Sequence, residues 1–132
     1  MDESRPLIHG PLRSNRLGQV LVVDVTAPQN NMVLARGSSL ARSSVLVTSF
    51  ARRVIELSKA GEKLDSIAVL GSDGDAVEHP ALREVTENLR SLRDKWFSRA
   101  KLCLMTALRD LCTYELRTTI RMYDKVFLEY QW

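Results

Sequence analysis

Residues 66–80, which read SIAVLGSDGDAVEHP, constrain the fold of this chain more than any other segment. A short apolar run, residues 66–70, leads into a turn rich in Gly and Asp, and Pro80 follows where a helix can begin. A buried strand followed by a helix is the repeating unit of parallel α/β sheets. Ligands of such sheets bind beyond the carboxyl ends of the strands, which is where this turn is placed.

The charge of the turn narrows what it can bind. Glycine turns before helices usually hold a phosphate on backbone N–H groups, but Asp73, Asp75 and Glu78 would repel one. An amine, a hydroxyl or a metal ion is better suited to this turn than a phosphate. A metal site made by these carboxylates and His79 is one alternative. Because the spacing matches no EF-hand loop, we favour an acidic turn in which His79 caps or flanks the following helix.

Apolar periodicity divides the chain into alternating strands and helices. After an irregular N-terminal arm, residues 1–18, the patterns predict four strands and three helices. The strands are residues 19–25, 66–70, 100–105 and 125–130, and the helices are residues 43–60, 80–96 and 113–122. We therefore predict a single α/β domain over residues 1–132, with a parallel sheet of about four strands alternating with three helices.

Charge and cysteine content limit the classes of function that this chain can have. The net charge is +3, and residues 1–53 hold seven Arg against three acidic residues. Without interleaved aromatics, this excess favours a solvated surface over nucleic-acid binding. We expect Arg13 and Arg16 to pair with the acidic turn. Cys103 and Cys112 fit no metal spacing and are expected to be reduced, structural thiols.

The sequence also bears on location. No apolar run approaches the roughly 20 residues that span a bilayer, and the first ten residues, MDESRPLIHG, do not resemble a signal peptide. We therefore expect a cytoplasmic protein without a membrane partner.

Three segments together resemble the radical SAM superfamily. Residues 10–28 (GPLRSNRLGQVLVVDVTAP) are similar to the opening segment of one branch, in which Gly-Pro and Arg-Leu-Gly precede a first strand ending in Asp-hydrophobic-Thr/Val-Pro. Residues 71–85 (GSDGDAVEHPALREV) resemble its second-strand motif, and residues 99–111 (RAKLCLMTALRDL) its third. These segments cover nearly the whole chain in the family's order. The resemblance implies the N-terminal half of a partial (β/α)6 barrel.

The positions that match the family's iron-sulfur ligands are altered. The family binds a [4Fe-4S] cluster through three cysteines, spaced Cys-x3-Cys-x2-Cys, after the first strand. Here the corresponding residues are Asn31, Ala35 and Ser38, and none offers a thiolate. The resemblance therefore implies a degenerate domain that does not bind the cluster in the family's way, so no metal or cluster cofactor is expected.

The turn that matches the family's S-adenosylmethionine (SAM) site is only partly altered. Gly74 and Asp75 stand at the Gly-Glu positions that receive the methionyl amine, and Thr106 is what remains of a Thr-Asn-Gly element. The resemblance thus implies a relict amine-binding turn in which SAM is the candidate ligand. Its residues are Ser72, Asp73, Gly74 and Asp75.

From these observations we expect a non-catalytic binding or assembly module with a relict pocket for a SAM-like small molecule. One alternative is a radical SAM enzyme, or a subunit of one, whose cluster is supplied by a partner. A third is an Arg-rich RNA-binding module. The last predicted strand would be an unpaired sheet edge. We therefore expect a homo-oligomer, or a partner chain, along the segment from Lys125 to Trp132.

Overall fold

The computed structural model describes residues 6–28, 40–107 and 114–128. Within these residues the chain forms one five-stranded sheet, three α-helices and one short 3-10 turn. The elements are β1 (Ile8–Ser14), β2 (Gly18–Asp24), α1 (Ser43–Lys59), β3 (Ser66–Leu70), the 3-10 turn (Ala76–Glu78), α2 (Leu82–Trp96), β4 (Lys101–Thr106), α3 (Tyr114–Ile120) and β5 (Lys125–Leu128). The predicted α/β class is confirmed.

The strands lie in the sheet in the order in which they occur along the chain, β1-β2-β3-β4-β5. β2 to β5 are parallel, and β1 is antiparallel to β2. Because the four parallel strands point the same way, the loops that follow them meet at one end of the sheet, the C-terminal end. The loops that precede them meet at the opposite, N-terminal end.

The main core lies between one face of the sheet and the helices. α1 buries one apolar stripe, and α2 buries Leu82, Val85 and Leu89. These residues pack in one cluster with alternate residues of the central strands, as expected for a strand covered on that face. The sheet residues are Leu21, Val23, Ile67, Val69, Leu102 and Leu104, and the α1 residues are Leu46, Phe50, Val54 and Leu57.

A smaller cluster lies on the opposite face of the sheet. Leu17 is buried there with Val20, Ala68 and Cys103. The guanidinium carbon of Arg16 lies 4.5 Å from the ring centroid of Phe127. Because Arg16 precedes β2 and Phe127 belongs to β5, the turn between β1 and β2 extends across this face. That turn therefore covers part of the face that the helices leave open.

The prediction of an irregular arm over residues 1–18 is wrong for residues 8–14, which form β1. The register shifts between His9 and Leu12, and Gly10, with φ of 101°, precedes a cis peptide bond to Pro11. Gly and Pro interrupt a strand pattern in sequence, but an edge strand tolerates both at a bulge. The sheet consequently has an antiparallel edge strand in addition to the four predicted strands.

The other predicted boundaries differ from the structure by a few residues. α2 begins at Leu82 rather than Pro80, because the 3-10 turn and His79 come first. α3 lies inside its predicted range, and β5 ends at Leu128, with residues 129–130 of the prediction outside the described residues. Among the helices described, none combines the length and apolarity needed to cross a bilayer.

Candidate functional site

The predicted acidic turn lies at the C-terminal end of the sheet, bound to the residues that end β2. Asp24 accepts the N–H of Ser72 on Oδ1 at 3.0 Å. Thr26 accepts the N–H of Asp73 on Oγ1 at 3.0 Å and donates to the carbonyl oxygen of Gly74 at 3.1 Å. Two of the family-like segments, residues 10–28 and 71–85, are therefore in direct contact. The turn's inward backbone groups are bonded within the protein.

Gly71 makes this close approach between the turn and Thr26 feasible. A Cβ atom at Gly71 would overlap the carbonyl oxygen of Gly74 and lie 2.6 Å from Oγ1 of Thr26. Glycine avoids this conflict because it has no side chain. Gly71 thus allows the loop after β3 to pack against the residues that follow β2.

Asp75 joins the same turn to the end of β4. Its Oδ1 accepts the N–H of Val77 at 3.1 Å and the hydroxyl of Thr106 at 2.6 Å, and its Oδ2 accepts the N–H of Ala107 at 2.7 Å. The carboxylate caps the 3-10 turn in the way that Asp caps helices. Three of its roughly four acceptor positions are used within the protein. Asp75 and Thr106, which belong to different predicted sequence segments, are therefore in direct contact.

His79 is a buried residue between the 3-10 turn and α2, with 4% of its surface exposed. Its Nε2 lies 2.8 Å from the carbonyl oxygen of Ala41, and its Nδ1 accepts the N–H of Ala81 at 3.0 Å. Because a carbonyl only accepts, Nε2 carries the proton and the ring is neutral. The predicted role of His79 in flanking α2 is confirmed. Neither ring nitrogen is left to bind a metal ion.

A cleft of about 430 Å³ opens beside Asp75, between the 3-10 turn, the first turn of α2 and α3. Its volume is in the range of small-molecule sites. Two exposed carboxylates, Glu78 and Glu115, and one exposed guanidinium, Arg83, belong to its lining. The other lining residues are Asp75, Val77, His79, Pro80, Leu82, Leu116 and Thr119.

The buried polar groups of the cleft are bonded within the protein. Thr119, 2% exposed, donates its hydroxyl to the carbonyl oxygen of Glu115 at 2.9 Å, and Asp75 and His79 are engaged as described. By contrast, the side chains of Glu78, Glu115 and Arg83 form no ion pair with another described residue. The inner polar groups of the cleft are therefore already bonded, and its charged groups stand at the rim.

Sequence reasoning missed the α3 wall of this cleft. Glu115, Leu116 and Thr119 line it, but in sequence they were assigned only to a helix with an apolar stripe. Leu116 is half-buried on this wall. The available signal was topological: α3 follows β4, so its first turn lies at the same end of the sheet as the acidic turn.

Two other predicted features lie away from the cleft. Arg13 pairs in register with Gln19 at the start of β2, and Arg16 stacks on Phe127. Both are at the N-terminal end of the sheet, so their predicted pairing with the acidic turn is wrong. Asn31, Ala35 and Ser38, the positions that match the cluster ligands, lie outside the described residues.

Cys103 fits its predicted structural role. The thiol is free and buried, and burial raises its pKa despite the opposing charges of Lys125 and Lys101. A buried thiol with a raised pKa is a poor nucleophile at neutral pH. Cys112 lies outside the described residues.

No family model, curated protein or solved structure matches this chain. The resemblance to radical SAM proteins thus rests on the sequence segments alone.

Proposed function

We propose that this chain is a non-catalytic binding module, a degenerate radical-SAM-like domain, that holds an amine-bearing small molecule such as SAM in the cleft beside Asp75. The observation that carries the proposal is the position of the cleft. It opens at the C-terminal end of a parallel sheet and shares Asp75 with the predicted ligand turn. This is where α/β sheets bind their ligands. The expected cytoplasmic location is part of the proposal.

The charge of the cleft supports an amine over a phosphate. Asp75, Glu78 and Glu115 contribute three carboxylates against the one guanidinium of Arg83. Opposite charges near a site raise the local concentration of a ligand and favour its binding, whereas like charges oppose it. A ligand with a positively charged nitrogen therefore suits this cleft better than a nucleotide's phosphates.

The non-catalytic part of the proposal rests on the chemistry of the altered positions. Asn31, Ala35 and Ser38 have no thiolate to hold iron. In the cleft, the neutral His79 has both nitrogens engaged with backbone groups. A general acid or base must reach the ligand's proton, and this ring is directed into the protein.

Ligand binding is tested by calorimetry and thermal denaturation with SAM and S-adenosylhomocysteine. We expect binding of at least one, with a rise in melting temperature. Leu116→Trp should abolish it by filling the cleft, whereas Arg117→Trp, on an exposed position of the same helix, should not. Absence of binding to the unmodified protein, or equal binding by both variants, would show that the cleft is not the site.

We further propose that β5 pairs with another copy of this chain or with a partner chain. β5 is an outer strand of the described sheet, with β4 as its neighbour, and Leu128 is 54% exposed. Unpaired strand edges with apolar side chains favour association with a further strand. The predicted edge from Lys125 to Trp132 is described as far as Leu128.

The edge proposal is tested by light scattering after size-exclusion chromatography over a range of concentrations. We expect self-association that Leu128→Lys weakens. Leu12→Lys is the matched control, because Leu12 is 52% exposed on β1, at the opposite edge of the sheet. If the chain is monomeric at every concentration, and Leu128→Lys weakens its association with no other protein, the proposal fails.

A further inference from the structure

We infer that the ligand of the cleft has an apolar body, which enters between the 3-10 turn and α3, and a cationic group, which stays at the rim between Glu78 and Glu115. This inference rests on the proposed function and assigns the amine to different residues from those predicted in sequence.

The interior of the cleft favours an apolar body. Val77, Leu82 and Leu116 contribute apolar surface from its three walls. The inner polar side chains, the partly buried Asp75 and the buried His79 and Thr119, are already hydrogen-bonded to backbone groups or to Thr106. A polar ligand group placed deep in the cleft would lose its bonds to water and find few replacements, which is unfavourable.

Asp75 is poorly placed to be the main partner of the amine. An ammonium group bonded to it would compete with the N–H groups of Val77 and Ala107 and with the hydroxyl of Thr106. Moving the N–H of Val77 or of Ala107 away would cost it the partner that the structure gives it. The carboxylate therefore keeps its protein partners, and its negative charge acts on the ligand from a distance.

Glu78 and Glu115 meet the requirements for the cationic group. Both are exposed, neither forms an ion pair with another described residue, and they stand on different walls, the 3-10 turn and α3. A cation between them stays partly hydrated, so its desolvation cost is small. Arg83 supplies one opposing charge, and the balance remains in favour of a cation.

Three six-carbon probes that differ only in the head group test this inference. We expect n-hexylammonium to bind more tightly than 1-hexanol, and hexanoate to bind least, in titrations followed by NMR chemical shifts. Glu78→Gln and Glu115→Gln should each weaken n-hexylammonium binding roughly threefold, the size expected for one exposed charge pair, and leave 1-hexanol unchanged. Glu87→Gln is the control, since Glu87 is exposed on α2 outside the cleft.

The outcomes separate this inference from the proposed function. If SAM binds but the three probes bind equally, or not at all, the inference fails and the binding module stands. If the Gln variants of Glu78 and Glu115 bind n-hexylammonium normally while folded Asp75→Asn does not, the amine contacts Asp75 and the inference fails. If neither SAM nor any probe binds, both fail.

Discussion

At each end of the sheet a carboxylate accepts a backbone N–H, but only one of the two carboxylates also pairs with a cation among the described residues. At the N-terminal end, Asp124 accepts the N–H of Leu102 at 2.8 Å. At the C-terminal end, Asp75 accepts the N–H of Ala107 at 2.7 Å. In both cases a carboxylate joins neighbouring segments of the sheet. The difference is a cation: Arg93 pairs with Asp124, whereas Asp75 forms no ion pair with another described residue.

At the N-terminal end, Asp124 has a cationic partner in Arg93. Arg93, with 8% of its side chain exposed, donates to Asp124 at 2.6 Å, to Asp94 at 2.6 Å and to the carbonyl oxygen of Ala100 at 2.9 Å. Burial alone would lower the pKa of Arg93, but its hydrogen bonds to the two carboxylates raise it. Ion pairing and hydrogen bonding of this kind hold Asp124 in contacts within the protein.

The C-terminal end keeps its negative charge next to a cleft. Asp75 is used structurally, and Glu78 and Glu115 add two carboxylates at the rim. The comparison teaches that a carboxylate at a strand end is not by itself a sign of function. Uncompensated charge beside a cavity distinguishes the end proposed to bind a ligand.

The largest expected effect is that of Arg93→Met. Removing the guanidinium takes away this donor of the Ala100 carbonyl oxygen and leaves the carboxylate of Asp124 with the N–H of Leu102 but no cation. We therefore expect a loss of about 3 kcal/mol in the free energy of unfolding. Urea denaturation measures it. Arg90→Met, at an exposed position of the same helix, should cost much less. Binding of n-hexylammonium to folded Arg93→Met should be unchanged, and a loss of binding would break the comparison.

Asp75→Ala comes next. It removes three hydrogen bonds and leaves the N–H of Ala107 unsatisfied, so we expect a loss of about 2 kcal/mol in the free energy of unfolding. Because the 3-10 turn also forms a wall of the cleft, probe binding should weaken as well. Asp73→Ala, on the exposed neighbour, is the control for both measurements. Unchanged stability of Asp75→Ala would show that the contact of Asp75 with Thr106 and Ala107 does not help to join the turn after β3 to the end of β4.

The smallest expected effect is the pH dependence due to Asp124. Burial alone would raise the pKa of Asp124, but the N–H of Leu102 and the guanidinium of Arg93 lower it on balance. A lowered folded-state pKa contributes stability above the unfolded value, about 3.9, and this contribution disappears as pH falls through the folded-state pKa.

Comparison of the unmodified protein with Asp124→Asn between pH 7 and pH 2.5 tests this dependence. The side chain of Asp124 is 42% exposed, so the ionisation-dependent part of the difference should be at most about 1 kcal/mol. It should be constant near pH 7 and shrink below about pH 4. A difference in stability that stays the same at every pH would contradict the lowered pKa.

Much of the fold could be predicted because helices and buried strands have clear periodicities. The buried residues of α1, from Leu46 to Leu57, and the uniformly apolar β3 follow directly from spacing. β1 could not be found that way, since Gly10 and Pro11 interrupt its pattern and its pairing with β2 depends on a bulge. Pairing between strands is a tertiary property that local spacing does not encode.

The site was only half predictable for the same reason. The turn from Ser72 to Asp75 is recognisable because Gly and Asp cluster after a strand. Its partners are distant in sequence: Asp24 and Thr26 precede it by 48 and 47 residues, and Thr106 follows Asp75 by 31. Glu115 enters the cleft only because α3 packs near α2. The sequence could thus indicate where a ligand binds, but not which carboxylates remain free to meet it.

The strand order has a consequence for how the chain folds during synthesis. Because each described strand after the first lies beside the strand made before it, every new strand of this sheet leaves the ribosome after its neighbour has been synthesised. No strand has to wait for a later one before it can pair, and the sheet can grow outward by one unit at a time. Domains generally fold from the N-terminus as they are made, and here the order of synthesis is also the order of the strands across the described sheet.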